Sequence, residues 1–286
     1  MDDKRIQEYI ARIKREAENK RGEKVSPEAG AAKAGEAPKK SERKSKRRSE
    51  RPVYEDKGRR TANSRRYLTE KGEWETVISG MRQHYYNAAE GRYRSIDNRL
   101  ELKGREGDEE DFIGYENRYN SYKARFAREI GGNLMRIEKD GYQVYIRAVD
   151  GISESRRVRR VMAEARNVQT KRLGWTEGHE NLESAVKYAG VYEGVDLEYE
   201  VKSDRIKENI RIRKRIDSYE FVYVITAKGL VLIADNEEKT IKYYKKADTA
   251  RDVAVFSMPA PYMYDASGKA SEDVQYKVEQ IDEGEY

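Results

Sequence analysis

Apolar and polar residues alternate with a period of two along most of the last hundred residues. In GVDLEYEV, for example, Val195, Leu197 and Tyr199 alternate with Gly, Asp and Glu. Successive side chains of a β-strand point to opposite faces of a sheet, so this alternation predicts half-buried strands. Similar alternation, or a short apolar run, occurs in KENIRIRKRI (207–216), YEFVYVIT (219–226), LVLIA (230–234), TIKYY (240–244), VAVFSM (253–258) and SEDVQYKVEQ (271–280).

Short turns separate these predicted strands, and the stretch 74–150 continues the pattern less regularly. WETVISG (74–80) predicts a strand, 82–102 predicts two strands around a turn at Gly91, and 120–149 predicts two or three more. The dipeptide at 140–141 is Asp-Gly, which favours a hairpin turn. Many short antiparallel strands are typical of a sandwich or barrel. We therefore expect a mainly β fold, an antiparallel sandwich, over residues 67–286.

One segment, residues 153–172, departs from the alternation. Its apolar residues recur at helical spacing, and Ser153 or Ser155 can serve as the N-cap, so the pattern predicts an inserted amphipathic helix packed on a sheet. Because the segment is also strongly basic, a surface helix that binds a polyanion is the alternative. Residues 67–150 and 185–286 then form either one domain or two sub-domains joined by this helix. The apolar residues are Val158, Val161, Met162, Ala165 and Val168.

The N-terminal quarter of the chain has a different composition. Ile6, Ile10 and Ile13 fall on one side of a helix, which predicts a narrow amphipathic helix over residues 1–20, either marginal or used for docking. Residues 21–66 contain few large apolar side chains and three of the five prolines. Such a segment buries too little surface to offset its ordering entropy, so we predict a disordered linker.

The net charge of +6 is divided unevenly along the chain. Residues 1–66 hold 22 Lys and Arg against 12 Asp and Glu, whereas the remaining residues hold 37 against 41. The basic excess therefore belongs to the tail, where the run KKSERKSKRR is either a solvated linker or a non-specific, salt-sensitive contact for polyanions. The cations of this run are Lys39, Lys40, Arg43, Lys44, Lys46, Arg47 and Arg48.

Candidate chemistry is sparse in this sequence. The chain has no cysteine, which excludes disulfides and thiol catalysis, and its two histidines, His84 and His179, cannot form a three-histidine metal site. Nucleotide-binding, metalloprotease and hydrolase motifs do not occur. We expect His84 to be a packing residue and His179 a turn residue. The sequence therefore predicts a protein that is not an enzyme and that requires no cofactor.

The sequence gives little information on localisation. The N-terminus lacks the uninterrupted apolar run of a secretory signal, and no stretch of about 18 apolar residues occurs. The expectation is a cytoplasmic chain as given, or one that is exported as part of a larger protein.

Several phrases, taken in order, resemble one family. YRSIDNRLEL (93–102) is followed by YENRYNSYKARF (115–126) and then by LMRIEKDGYQVYI (134–146), and the order continues through 188–212, 221–241 and 255–278. These phrases are similar to segments near the start of large wall-associated and Rhs/YD-repeat proteins of Gram-positive bacteria. The resemblance implies a β-rich N-terminal module of a polymorphic toxin-type or surface protein. Its motif positions here are Asp97, Asn98, Gly194, Asp196, Pro259, Pro261, Asp265 and Gly268.

The chain departs from that family because it has no YD repeats and no effector, so no toxin activity is expected. We expect either a truncated or split reading frame or a stand-alone copy of the module. Three functions remain open. The first is a structural or interaction module that contacts other domains or chains of a larger Rhs-type assembly. The second is a sandwich that binds carbohydrate or another cell-surface polymer, and the third is a nucleic-acid-associated protein that uses its basic segments.

Overall fold

Antiparallel strands make up almost all of the folded chain. The computed structural model describes residues 52–104, 112–151, 157–171 and 179–286, together with Glu8, Ala11 and Arg12. From Pro52 onward, the described residues contain a single helical turn, the 3₁₀ turn Lys57–Arg59. The predicted mainly β, antiparallel fold is therefore confirmed.

Ten strands lie in the first half of the described chain. They are β1 Pro52–Glu55, β2 Ser64–Thr69, β3 Trp74–Ile78, β4 His84–Asn87, β5 Arg92–Ser95, β6 Asp97–Lys103, β7 Gly114–Tyr119, β8 Lys123–Ala127, β9 Met135–Lys139 and β10 Tyr142–Ala148. Ten more follow in the second half. They are β11 Ala163–Lys171, β12 His179–Tyr192, β13 Val195–Val201, β14 Ile206–Ile212, β15 Tyr223–Thr226, β16 Leu230–Asp235, β17 Thr240–Lys245, β18 Phe256–Met258, β19 Met263–Tyr264 and β20 Ala270–Ser271.

Two of the sheets are the largest and carry most of the core. The six-stranded sheet has the order β15-β10-β9-β8-β7-β6, and the four-stranded sheet has the order β11-β12-β13-β14. Two three-stranded sheets, β1-β2-β3 and β16-β17-β18, and the pairs β4-β5 and β19-β20 complete the fold. Most neighbours in a sheet are also neighbours in sequence, because short turns connect consecutive antiparallel strands.

The main core lies between the six-stranded and four-stranded sheets and is rich in aromatic residues. Phe126 of β8 packs against Tyr199 of β13 with ring centroids 5.3 Å apart, and Tyr188 of β12 meets Tyr199 edge to face. The buried Tyr188 hydroxyl donates a hydrogen bond of 2.6 Å to the carbonyl of Ala127 across the interface. Tyrosine therefore contributes apolar area to this core while its hydroxyl still finds a partner.

A second core forms where β16-β17-β18 packs beside the first. Val144 of β10 joins Leu230, Leu232 and Tyr243 there, and Ile146, two residues along β10, contacts both cores. The C-terminal residue also belongs to this region, because Tyr286 exchanges two backbone hydrogen bonds with Ile225 of β15. One strand thus connects the two cores.

The predicted hairpin turn at 140–141 is confirmed. Asp140 has a φ of 53° and Gly141 a φ of 79°, and they connect Lys139 of β9 to Tyr142 of β10, which are paired. Two consecutive positive φ values match the twist of the flanking strands, which is why Asp-Gly favours this turn.

The predicted helix over 153–172 is wrong. Residues 157–162 belong to no helix or extended strand, and β11 runs from Ala163 to Lys171 as the partner of β12. Residues 153–156 and Arg172 lie outside the described residues. The spacing of Val161, Ala165 and Val168 fits a helix, but pairing with the long strand β12 satisfies the backbone of the segment. Tertiary context has overridden the local pattern.

The predicted boundary at residue 66 is also wrong, because β1, the 3₁₀ turn and the start of β2 already lie within 52–66. Residues 21–51 lie outside the described residues, and so does most of the predicted helix 1–20. Glu8, Ala11 and Arg12 of that segment are helical, and Arg12 forms an ion pair with Glu279.

The alternating stretch 271–280 does not form the long strand predicted from it. Only Ala270–Ser271 pairs, as β20, whereas Tyr276 and Val278 pack against the second core from an irregular segment. The alternation of apolar residues therefore reflects burial of one side of the segment against the second core, and not pairing with another strand.

A buried cluster of asparagines ties the two large sheets together. Asn98 of β6 donates to the carbonyl of Leu182 in β12 at 2.7 Å, and its own carbonyl accepts from Asn117 and Asn120. Asn117 in turn accepts a backbone hydrogen bond of 2.8 Å from Ala124. Because buried polar groups are costly without partners, this reciprocal arrangement fixes the positions of β6, β7 and β12.

We expect Asn98→Ala to lower the free energy of unfolding by about 2–3 kcal/mol, since it removes the side-chain donor to the Leu182 carbonyl and one of the two acceptors of each of the Asn117 and Asn120 amide groups. Urea denaturation, followed by circular dichroism, measures this change. Asn236→Ala is the matched control because Asn236 is exposed in the β16–β17 turn, and we expect a change within about 0.5 kcal/mol. Equal effects of the two substitutions would contradict the structural role of the cluster.

Candidate functional site

The N-terminal sheet β1-β2-β3 has two chemically different faces. Along β2 the side chains of Arg65, Tyr67 and Thr69 are buried, whereas Arg66 and Leu68 point the other way. The buried side faces the rest of the protein and the opposite side faces solvent. We call these the inner face and the outer face of the N-terminal sheet.

The inner face is anchored by a buried arginine. Arg65 is 2% exposed, and its guanidinium forms an ion pair with Glu180 of β12. Its Nε also donates to His84 Nε2 at 3.2 Å and lies 4.0 Å from Glu55 Oε1. Glu55 is held in turn by Arg60, whose Nε is 2.7 Å from the same oxygen. The cluster thus joins the sheet to the four-stranded sheet and to β4.

The hydrogen bonds of His84 define its protonation. The Nε2 atom accepts from Arg65, so the proton of the neutral ring resides on Nδ1, which donates to the carbonyl of Thr61 at 2.7 Å. Burial, together with the positive charges of Arg65 and Arg60, lowers the pKa of His84 to about 4. A proton on Nε2 would face the guanidinium directly. His84 is therefore a neutral structural acceptor, in keeping with the packing role expected from the sequence.

The outer face presents aromatic and aliphatic side chains to solvent. Tyr54, Leu68 and Trp74 are aligned across the three strands by the pairing register. The Arg66 guanidinium lies over the Trp74 ring, 4.6 Å from its centroid. Farther along β3, Ile78 is 77% exposed, and Tyr54 and Trp74 are 58% and 44% exposed. Exposed aromatic and aliphatic side chains grouped on one face are unusual for a surface that contacts only water.

The outer face has the composition of a protein contact surface. Trp, Tyr and Arg are the residues most enriched among those that dominate binding energy in interfaces. The arginine stacked on Trp74 also holds the ring in one orientation, which reduces the entropy lost on binding. In addition, each of β1 and β3 pairs only with β2 among the described strands. This surface was missed from the sequence because β1 and the first half of β2 fall in the predicted linker.

A second exposed aromatic site lies at the C-terminal hairpin β19-β20. Tyr262 and Tyr264 stack with ring centroids 6.4 Å apart, and both are more than half exposed. In the turn, Asp265 accepts backbone hydrogen bonds from Ser267 and Lys269. The motif residues of this segment thus have local roles, because Pro259 and Pro261 lead into the hairpin, and Asp265 and Gly268 (φ +85°) shape its turn.

The other motif positions are separated in space from the hairpin. Asp97 binds the guanidinium of Arg99, with 2.6 Å between Oδ2 and the terminal nitrogen, and Asn98 lies in the buried amide cluster. Gly194 and Asp196 lie at the β12–β13 turn. The cations of the 39–48 run lie outside the described residues, as does the side chain of His179. The eight motif positions therefore do not form one site.

The described residues offer no candidate metal site. They contain no group of three His, Asp or Glu side chains that could hold a metal ion. One shallow, open cleft lies beside the β12–β13 turn and is lined mainly by charged side chains. None of the helical residues in the described part of the chain forms a segment long and apolar enough to cross a bilayer.

Comparisons with known proteins return no relative. No protein-family model, no curated protein and no solved structure matches the chain. The resemblance to Rhs/YD-repeat proteins stays a prediction from the sequence.

We expect the stability of the protein to fall as the pH is lowered from about 6.5 to 4. His84 titrates near 6.5 when unfolded and near 4 when folded, so the unfolded state binds the proton first. The full difference amounts to roughly 3 kcal/mol.

His84→Gln tests this expectation, because glutamine can accept from Arg65 and donate to Thr61 without titrating. Urea midpoints measured between pH 4 and pH 7 should decline less steeply for this variant than for the wild type. Parallel declines would show that His84 does not contribute to the pH dependence.

Proposed function

We propose that this protein is a non-catalytic interaction module whose contact surface is the outer face of the N-terminal sheet. The surface would bind a protein partner, either another domain or another chain of a larger β-rich assembly. The sandwich-like packing of the two large sheets would provide the rigid support. An assembly of the Rhs/YD-repeat type is the specific context that the sequence resemblance suggests.

One observation carries this proposal: an arginine-stacked tryptophan, a tyrosine and an isoleucine are exposed together on a sheet whose inner face is fixed by a buried charge cluster. An exposed apolar surface costs solubility, so its presence on an otherwise charged molecule favours a binding role. Each outer strand of this sheet has one edge that pairs with no other described strand, and such an edge allows a partner strand to pair with the sheet. The partner contact would then combine side-chain burial with backbone hydrogen bonds.

The alternative functions receive less support from the described residues. A carbohydrate-binding sheet would gather exposed tyrosines on one surface, whereas Tyr54, Tyr86 and Tyr119 lie on three different strands and Tyr219 lies in the irregular segment before β15. The stacked pair at the β19-β20 hairpin is the one feature that favours carbohydrate binding. For nucleic-acid binding, the basic run 39–48 lies outside the described residues and gives no geometric argument.

Site-specific photocrosslinking tests the proposal directly. A photoreactive phenylalanine analogue at Ile78 reports on the outer face, and the same analogue at Val253 is the matched control. The two side chains are 77% and 73% exposed, and Val253 lies just before β18 on a different sheet. Crosslinking is carried out in the source cells, and the crosslinked peptides are identified by mass spectrometry.

We expect the Ile78 position to yield one reproducible protein adduct that the Val253 position does not yield. Adding Trp74→Ala should reduce that adduct at least about tenfold, since central aromatic anchors contribute 2 kcal/mol or more to binding. The thermal midpoint should hardly change, because Trp74 is partly exposed. Identical adducts at both positions, or an adduct that Trp74→Ala leaves intact, would contradict the proposal.

A further inference from the structure

The β12–β13 turn is built around a buried carboxylate. Gly190 adopts a φ of +72° where the register between the two strands shifts, and its N–H donates to Asp196 Oδ1 at 2.7 Å. The Asp196 side chain is 4% exposed. Burying a carboxylate so completely is costly unless charges and donors surround it, so this turn is held in one geometry.

Asp196 orients an arginine at the surface. A terminal nitrogen of Arg213 lies 3.0 Å from Asp196 Oδ1, while more than half of the Arg213 side chain remains exposed. Lys187 approaches the other carboxylate oxygen at 3.6 Å. The guanidinium of Arg213 is therefore fixed on one side by the buried acid and keeps donors free on the other side for a ligand.

Lys214, which follows Arg213 in the sequence, is held at the same β12–β13 turn. A side chain at position 194 would collide with Lys214, because a Cβ there would lie 2.7 Å from the Lys214 Cγ, and Gly194 has a φ of +75°. Glycine thus lets the lysine stem lie across the turn. The ammonium group is 2.5 Å from Glu193 Oε1, and both groups are exposed.

A third cation reaches the turn from residues 157–162. The Arg159 N–H donates to the carbonyl of Val191 at 2.8 Å, which lays this segment along the turn. The Arg159 side chain contributes, after Lys214, to a lowered pKa of the Glu193 carboxyl. Arg159, Arg213 and Lys214 line one shallow, open cleft, and Glu193 is the one acidic side chain among its lining residues.

We propose that this cleft is an anion-binding site that takes a phosphate group, with Arg159, Arg213 and Lys214 as its ligands and Asp196 as the residue that positions Arg213. Guanidinium groups match the geometry of phosphate oxygens, and the lysine adds a point charge. Glu193 holds Lys214 at the rim and turns toward solvent when the phosphate displaces it. The site is independent of the outer face of the N-terminal sheet and does not rest on the function proposed for it.

The phosphate can belong to a small molecule or to a polymer, and the experiment separates the two. Inorganic pyrophosphate is titrated into the full-length chain by calorimetry, and a fluorescent twelve-residue oligothymidylate is titrated by anisotropy, each at about 50 mM salt. Single substitutions Arg159→Gln and Arg213→Gln should weaken binding of the preferred probe at least about tenfold. Asp196→Asn should weaken it as well, although it removes no cation.

Two controls separate the cleft from other basic surface. Arg205→Gln removes an arginine of similar exposure at the opposite end of β14, where it pairs with Asp204. The double substitution Arg43→Gln/Arg47→Gln removes two cations of the basic run. Both variants should keep the wild-type affinity for the preferred probe.

Weaker probe binding by the Arg159→Gln and Arg213→Gln variants, with unchanged binding by the two controls, supports the site. If pyrophosphate binding is weakened, the ligand is a small phosphate; if oligothymidylate binding is weakened, the ligand is a polymer backbone. The proposal is overturned if neither probe binds, if the controls weaken binding as much as the cleft variants do, or if the cleft variants leave binding intact. Because Arg213 also contacts Asp196, the thermal midpoint of each variant is measured. Arg159→Gln, which breaks no contact to that buried acid, decides the result if Arg213→Gln fails to fold.

Discussion

The placement of the N-terminal sheet depends on one buried arginine. Arg65 leaves water only because Glu180, Glu55 and neutral His84 surround it. A buried ion pair is weak evidence for stability, but removal of one partner costs about 3–5 kcal/mol because the other charge is left uncompensated. The cluster therefore acts as a constraint on position: it attaches the inner face of the sheet to β12, and the aromatic outer face is turned to solvent.

The same use of buried polar groups recurs elsewhere in the molecule. Asn98 fixes β6 against β12, and Asp196 fixes the β12–β13 turn and, with it, Arg213. Between these points the two large sheets are held together by apolar and aromatic packing, which is strong but non-directional. Hydrogen bonds and ion pairs define the positions of the strands, and the packed core supplies most of the stability. Both candidate surfaces lie next to such directional contacts, which gives them defined geometry.

Much of the fold could be predicted because most strands bury one face and expose the other. The alternation at 195–201 and 206–212 marks β13 and β14 for this reason. It failed at 163–171, where small and branched residues fit a helix as well as a strand. β1 and the first half of β2 were missed because this stretch is rich in charged residues, and the buried side chain of β2 within it, Arg65, is itself charged. A hydropathy pattern records the residue type and not the partner that neutralises its charge. Because these strands were not predicted, the surface on the outer face was not predicted either.

Hydrogen–deuterium exchange of an Arg65→Met variant tests the central claim most directly, because methionine keeps much of the volume and removes the charge. The account predicts that amides of β2 and β3 exchange at least about tenfold faster than in the wild type, while amides near Val186 and Leu197 keep their protection. Unchanged protection of β2 and β3 would contradict the claim that the charge cluster holds the sheet. Equal loss of protection throughout the core would contradict its restriction to the N-terminal sheet.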